Sequence, residues 1–482
     1  MDRSASRMPT RSDSDWGEWP LAKLFRPRAI AVVGATSKPG KVGRIVFDLL
    51  RRTERPVYPV HPTQKTLLGH DVIPRVEDLP EGVDVAVITV NAGQAVQAAA
   101  DCGHKGIPFI IVVAGGFSEV GAEGRILEDK LRAVVATTGS RILGPNSLGI
   151  FVPRERIDTI FVEHGDRALA GGGGVAFITQ SGSVGTEGLG VASNIGFGLR
   201  AFVGLGNKVD LNELDFLRYF GDDDRTNCIM LYMENFSDGR AFLEIAGQVS
   251  RKKPVVVLKA GRTAAGAAAA SSHTGRLAGS DRVVSGAFRQ FCIQRVFDEE
   301  QLCDAARVLA GAPLPRGPRV AVISSGGGYG VMAADYIESR RQRTRLQMAH
   351  LSPDTEAKLR AIVPGFASVA NPVDLTASAT DEMTGDTLRI VTADDGVDAV
   401  ICVALFAPPG ISDALVAHTA AVAADVDKPI VVVGQFGPFT DGLLRRFYDN
   451  GVIGYPCVAR AVRAVRTLVE RAEFVHTMEG TP

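Results

Sequence analysis

The chain is poor in tryptophan, in clustered cysteine and in excess charge. Its two tryptophans, Trp16 and Trp19, both fall within the first twenty residues. The six cysteines, Cys102, Cys228, Cys292, Cys303, Cys402 and Cys457, are scattered, and no two have Cys-x-x-Cys spacing. That speaks against a zinc site or a disulfide framework and fits a reducing cytosol. No apolar run reaches the ~18 residues that a membrane-spanning helix needs. Formal net charge is −1, which gives no general basis for holding nucleic acid or a membrane surface. The first fifteen residues mix Arg, Ser and Asp without an apolar core, so they do not read as a secretory signal. Residues 1–20 read as a flexible lead.

Glycine is plentiful instead, with 53 residues, and 45% of the chain is hydrophobic. At 482 residues the length predicts two to four domains. Three blocks each open with an apolar run, then a glycine turn, then a helical pattern. The first is Ala29–Val33, then Gly34 to Gly43, then a helix through Leu50. The second is Val175–Ile178, then Thr179 to Gly185, then a helix through Ser193. The third is Val320–Ile323, then Ser324 to Gly330, then a helix through Ser339. Short apolar strands alternating with helices predict parallel sheets covered on both faces, an α/β fold. Further strands are expected at 83–90, 109–113, 141–143, 198–202, 228–233, 255–259, 399–405 and 430–433. The joints fall at Pro153 to Gly174 and at Gly311 to Pro318.

A glycine turn between strand and helix opens backbone N–H groups at the positive end of a helix dipole, where a phosphate can sit. Gly34 to Gly43 has this form. It is neither Gly-x-Gly-x-x-Gly nor a Gly-Lys-Ser/Thr loop, and a tight turn without a ligand accounts for it equally well. Val57-Tyr-Pro-Val-His-Pro62 closes the next strand, where a nucleotide's ribose or adenine commonly lies; His61 there reads as an edge residue rather than a catalyst. Thr179-Gln-Ser-Gly-Ser-Val-Gly185 adds hydroxyls beside open amides. Gly-x-Ser-x-Gly is absent, so Ser181, Gly182 and Ser183 read as an anion cradle, with an N-capping serine as the plainer account.

One histidine stands apart. His273 lies in Ser271-Ser-His-Thr-Gly-Arg-Leu-Ala-Gly-Ser-Asp281, just past the alanine-rich run 264–270. It reads as a loop histidine with neighbours too small to pack it, either idle or free to carry a phosphoryl group. An acid, Glu234, ends the apolar strand Met230-Leu-Tyr-Met. At the C-terminal end of a parallel strand a carboxylate can hold one imidazole N–H and leave the other nitrogen nucleophilic. The alternative is a solvated strand-end residue.

On these residues the chain resembles the α subunit of the NDP-forming acyl-CoA synthetases, the succinyl-CoA synthetase superfamily, and within it the ADP-forming acetate–CoA ligase branch. The matching stretches are Val33 to Gly43, Gly144-Pro-Asn-Ser-Leu-Gly149, Thr179 to Gly185, Gly206-Asn-Lys208, Leu231-Tyr-Met-Glu234, Lys253 to Arg262, Ser272 to Asp281 and Asn371-Pro-Val-Asp-Leu-Thr376. The resemblance covers roughly residues 20 to 470.

It implies a Rossmann-like CoA-binding domain over 21–153 and two flavodoxin-like ligase domains over 170–312 and 318–470. CoA is then expected on Gly34, Ala35, Thr36, Ser37, Pro39, Gly40, Val42, Gly43, His61 and Pro62. Phosphate is expected on Gln180, Ser181, Gly182, Ser183, Gly206, Asn207, Ser325, Gly326 and Gly327. His273 would be the phosphohistidine and Glu234 its stabiliser. The ATP-grasp part that takes ATP and Mg²⁺ would lie on a β subunit or a further segment, and no metal site is expected on this chain. The implied reaction joins a carboxylic acid, CoA and ATP to give acyl-CoA, ADP and phosphate, through an acyl phosphate and a phosphohistidine. The third turn departs from the family pattern: Ser325 stands where an Asn is usual and Tyr329 where a Pro is usual. Two rivals remain. A CoA-binding regulatory protein of the same fold would not need both His273 and Glu234. An NAD(P) dehydrogenase would want an acid about 20 residues after its first turn, and the run through His61 offers none.

Overall fold

A computed structural model describes residues 21–162, 173–274, 280–339, 342–406 and 408–479, with backbone alone at 193, 270–274 and 479. The chain divides into two compact units. One holds residues up to Phe161 together with Asn207–Leu211; the other holds Val162–Gly206 and everything from Asn212 onward.

The first unit is built on five parallel strands: β1 (Ile30–Val33), β2 (Val57–Val60), β3 (Val85–Ile88), β4 (Phe109–Val112) and β5 (Arg141–Leu143), in the order β2-β1-β3-β4-β5. β1, β3 and β4 are buried at every residue, as continuous apolar runs covered on both faces require. Chain order reverses between β1 and β3. Such a reversal leaves a crevice at the C-terminal strand ends, the usual ligand position in open α/β sheets. Helix α1 (Val42–Leu50) follows the first turn.

The second unit repeats this plan twice. Its first sheet has β6 (Val175–Thr179), β7 (Leu199–Gly204), β8 (Cys228–Met233), β9 (Val255–Lys259) and β10 (Gln294–Val296), with spatial order β10-β9-β8-β6-β7. Its second has β11 (Arg319–Ser324), β12 (Gln347–Met348), β14 (Ala399–Leu405), β15 (Ile430–Gln435) and β16 (Ile453–Tyr455), with order β12-β11-β14-β15-β16. A two-residue strand, β13 (Val373–Asp374), also pairs with β11. All three sheets therefore place the crevice between their first and third main strands. The entry to that strand pair is clamped alike in the first and last. Arg28 donates through its backbone N, Nε and Nη2 to Asp84, and Arg319 does the same to Asp398.

The helices that matter here are α2 (Gly182–Val191), α3 (Ala264–Thr274), α4 (Asp281–Gln290), α5 (Glu299–Gly311), α6 (Gly327–Ile337) and α7 (Val458–Glu479). Two depart from the sequence expectation. α2 stops at Val191, and a π-helical turn, Ala192–Gly196, carries the chain on. Gly196 there has φ +80°, and a Cβ on it would lie 2.3 Å from the Tyr448 ring. His273, expected in a loop, is helical in backbone as the penultimate residue of α3. The alanine run supplies the reason: alanine is the strongest helix former, and Thr263 accepts from the N–H of Gly266 through its side chain and of Ala267 through its carbonyl, starting the helix. The His273 side chain and residues 275–279 lie outside the described residues.

The two sheets of the second unit are joined through ion pairs between their helices. Arg460 of α7 grips Asp304 of α5 with Nε and Nη2 at 2.8 and 2.6 Å, and the Tyr455 hydroxyl donates to the Asp304 carbonyl at 2.7 Å.

Candidate active site

In the first unit, the turn after β1 is shaped by two facing glycines. Gly34 takes φ +91°, and a Cβ on Gly43 would lie 2.1 Å from the Gly34 carbonyl oxygen. α1 can approach the strand this closely only because both positions lack side chains. Thr89, after β3, donates from its hydroxyl to the Val33 carbonyl at 3.0 Å and stitches the crevice. Ser37, Lys38, Pro39, Gly40 and Lys41 are exposed, whereas Ala35 and Gly43 are buried and Thr36 and Val42 lie between. Gln64 joins this turn to the end of β2. It accepts from the Ser37 N–H at 3.0 Å and donates to the Thr36 hydroxyl at 3.1 Å. His61 Nδ1 accepts from the N–H groups of Thr63 and Gln64. The imidazole thus closes the bend beside exposed Pro62. The sequence reading missed Gln64; a polar residue four positions past a strand end gives no local sign of its partner.

In the second unit, the turn after β6 is self-clasped. The Thr179 hydroxyl donates to the Ser181 carbonyl at 2.7 Å and accepts from the Ser181 N–H at 3.2 Å. The Ser181 and Ser183 hydroxyls are 3.1 Å apart. No side chain caps α2, and Gly182 and Ser183 are exposed, so the first amides of that helix face solvent. Gln180 crosses the crevice: its Oε1 accepts from the N–H groups of Glu234 and Asn235 at 3.1 and 3.2 Å. Glu234 is buried to 9% exposure. Tyr232 hydrogen-bonds its carboxylate; burial first, then the Glu234 charge and that bond, push the Tyr232 phenol up to about 12. Beneath lies Lys259, the last residue of β9, 6% exposed. Its Nζ donates to the carbonyls of Glu234 and Ala260 at 2.7 and 2.6 Å. Lys259 and Tyr232 were not anticipated, although a charged residue closing an apolar strand is the signal that marked Glu234. Gly206 follows β7 in this unit. Asn207 belongs to the other unit, where its Nδ2 donates to Glu119 at 2.6 Å.

The third turn uses the same clasp. The Ser324 hydroxyl donates to the Gly326 carbonyl at 2.8 Å and accepts from its N–H at 3.1 Å. Ser325 stands where Gln180 does. It too spans to the neighbouring strand end, reaching the Val403 carbonyl and Leu405 N–H at 3.4 Å each. Gly327 and Gly328 are exposed. Unlike its counterpart, this helix start has an acid beside it: a Cβ on Gly327 would lie 2.7 Å from Asp374 Oδ2. A carboxylate there stabilises the helix dipole and competes with any incoming anion. Among the described residues no group of three or more His, Cys, Asp or Glu is arranged to hold a metal ion. Among the described residues no helix is long and apolar enough to cross a membrane.

Three family models match in succession: a CoA binding domain over residues 28–153, a succinyl-CoA ligase like flavodoxin domain over 172–309 and a Ligase-CoA domain over 320–472. The α subunit of acetate–CoA ligase [ADP-forming] I from Pyrococcus furiosus is 35% identical over 466 residues, covering 94% of this chain and 98% of that protein. The acetate–CoA ligase [ADP-forming] I of Archaeoglobus fulgidus is 36% identical over 93% of this chain, which spans 63% of that longer relative. Among solved structures, the Ca. Korarchaeum cryptofilum acetyl-coenzyme A synthetase 1 in complex with phosphate and ADP superposes with a TM-score of 0.87 at 32% identity, covering 96% of this chain and 99% of that one. The chain belongs to the family of ADP-forming acetate–CoA ligase α subunits.

Proposed function

We propose that this chain is the acyl-transfer half of an ADP-forming acyl-CoA synthetase, with His273 as its phosphoryl carrier. The observation that carries the reading is the crevice at β6 and β8. There one glutamine binds the backbone beneath Glu234, next to a helix start whose amides face solvent. Under this reading an imidazole nitrogen of His273 attacks the γ-phosphorus of ATP held by an ATP-grasp β subunit with Mg²⁺. The P–O bond to ADP breaks and ADP leaves. A substrate carboxylate oxygen then takes the phosphoryl group, giving an acyl phosphate and free histidine. The CoA thiolate attacks the acyl carbon and expels phosphate. Glu234 holds one imidazole N–H so that the other nitrogen is the nucleophile. The open amides after Gln180 meet phosphate charge at the helix N-terminus. The turn at Gly34 to Gly43, with His61 and Pro62 at the neighbouring strand end, holds CoA. The domains run over 21–153, 170–312 and 318–470, and the enzyme works in the cytoplasm on a small carboxylic acid.

The test is transfer of label from [γ-³²P]ATP to this chain in the presence of an ATP-grasp subunit and Mg²⁺. Wild type should carry acid-labile, base-stable label. The reading is overturned if His273→Ala labels equally.

A further inference from the structure

In the second unit, α4, β10, α5, the C-terminal end of α6 and α7 enclose a cavity of about 580 Å³. Turn three lies at the opposite end of α6, about 16 Å away for an 11-residue helix. Five arginines line the cavity against two acids. Two of the five are already ion-paired: Arg295 with Asp281, and Arg463 with Glu300 and Asp304. Each still has a buried Nε without a hydrogen-bond partner. Among the described residues the other three, Arg289, Arg343 and Arg466, have no carboxylate within ion-pair distance. Arg466 donates only to the carbonyls of Thr344 and Tyr336, and burial holds its guanidinium below the usual arginine range. Arg289 and Arg343 are exposed at the rim. Of the two acids, Asp304 is engaged by Arg460 and Arg463. Glu470 is held above the usual carboxylate range by its burial.

Five guanidinium groups face this cavity against two carboxylates, and Arg289 and Arg343 act on Glu470 only beyond ion-pair distance; a concave, partly desolvated wall focuses the field of the surplus positive charge. Guanidinium forks match phosphate geometry in two-point contacts. The same cavity exposes two aromatic rings, Phe297 at 50% and Tyr336 at 44%. Phe297 already lies under Arg262 and Arg295, with 4.9 and 5.3 Å to its centroid, while Tyr336 is free of such stacking. The volume is within the range of small-molecule sites.

We propose that this cleft binds a nucleoside polyphosphate, its phosphates on Arg343, Arg289 and Arg466 and its base against Tyr336. The lining shares no residue with the turn Gly34 to Gly43 or with the crevice of Gln180 and Glu234. It would give the enzyme a second, effector-type contact with the nucleotide pool.

The test is calorimetric titration of the full chain with ADP, and separately with inorganic tripolyphosphate, without a partner subunit. Wild type should bind both, ADP more tightly. Arg289→Glu/Arg343→Glu, two exposed substitutions, should weaken both at least tenfold, and Tyr336→Ala should weaken ADP alone. Gly43→Val, which disturbs only the first-unit turn, should leave both affinities intact. Unchanged affinity in the double variant overturns the proposal. So does a wild type that binds neither probe while the double variant loses the ATP-grasp subunit on gel filtration, since the patch is then a protein interface.

Discussion

Gln180 offers the sharpest separation of structure from chemistry. Its Oε1 accepts two backbone N–H groups, of Glu234 and Asn235, on residues only 9% exposed. Removing the acceptor in Gln180→Ala leaves two donors without their partner, at about 1–3 kcal/mol for each group that water cannot reach. Gln180→Glu behaves differently. The glutamate keeps the shape and both acceptor contacts, so folding stability stays near wild type. It also puts a full negative charge at the root of a helix whose open amides, on the function proposed above, receive phosphate. A unit charge about 4 Å from another is worth about 4 kcal/mol at an effective dielectric of 20. Even half of that slows phosphoryl transfer by more than tenfold, since about 1.4 kcal/mol is a factor of ten. The assay pairs calorimetric melting with the rate of phosphohistidine formation. The alanine variant should melt lower and label slowly; the glutamate variant should melt normally and label slowly. If Gln180→Glu labels at the wild-type rate, the crevice is not where the phosphate goes.

Gly43→Val places a Cβ 2.1 Å from the Gly34 carbonyl oxygen, more than an ångström inside ordinary contact. Overpacking of this kind costs about 1–3 kcal/mol, so CoA affinity by calorimetry should fall by about 5- to 150-fold. For Tyr232 the folded pKa of about 12 stands above the ~10 of an unfolded tyrosine. The folded form is then favoured fully below pH 10 and loses ground as pH climbs from 10 toward 12, because the unfolded chain gives up its phenol proton first. The difference in melting temperature between wild type and Tyr232→Phe should therefore shrink from pH 9 to pH 11; a constant difference refutes this. Asp304→Ala leaves the Arg460 guanidinium without its bidentate partner. Denaturant unfolding of the second unit should register a loss of about 3–5 kcal/mol, with little change in CoA binding.

Much of this fold could be read from the chain because its strands are continuous apolar runs. Cys228–Met233 and Val255–Lys259 are strands over the residues expected, and the glycine turns mark where helices begin. The strands that escaped notice are short or mixed. Gln347–Met348 and Val373–Asp374 have two residues each, and Gln294–Val296 carries an arginine; a neighbouring strand, not a local pattern, defines them. The acid Glu234 was visible as a charge closing an apolar run. Its supports were not, because Gln180 lies 54 residues earlier in the chain and Lys259 lies 25 residues later. Ser325 shows the reverse case. Its identity looked like a departure, yet it makes the same cross-strand span as Gln180 with a shorter side chain and longer bonds. Asp374 was seen only as part of a motif, and its place beside Gly327 depends on how β13 is laid against β11.

The helical state of residues 264–274 alters how a carried phosphoryl group would travel. A loop searches space as a slack tether, whereas an 11-residue helix is a stiff arm about 16 Å long. Turning it by about 30° at its root moves the tip about 8 Å. The root is suited to that rotation: Gly261 has φ +78°, and the arm's described residues, among them Ala264, Ala265, Ala268 and Ala269, are exposed or only half-buried. With no apolar anchor among its described side chains, little packing has to be broken there for the arm to turn. Its stroke is set by the hinge angle, and its accuracy by the alanines that keep it straight. A glycine or proline placed mid-arm would turn the lever back into a tether.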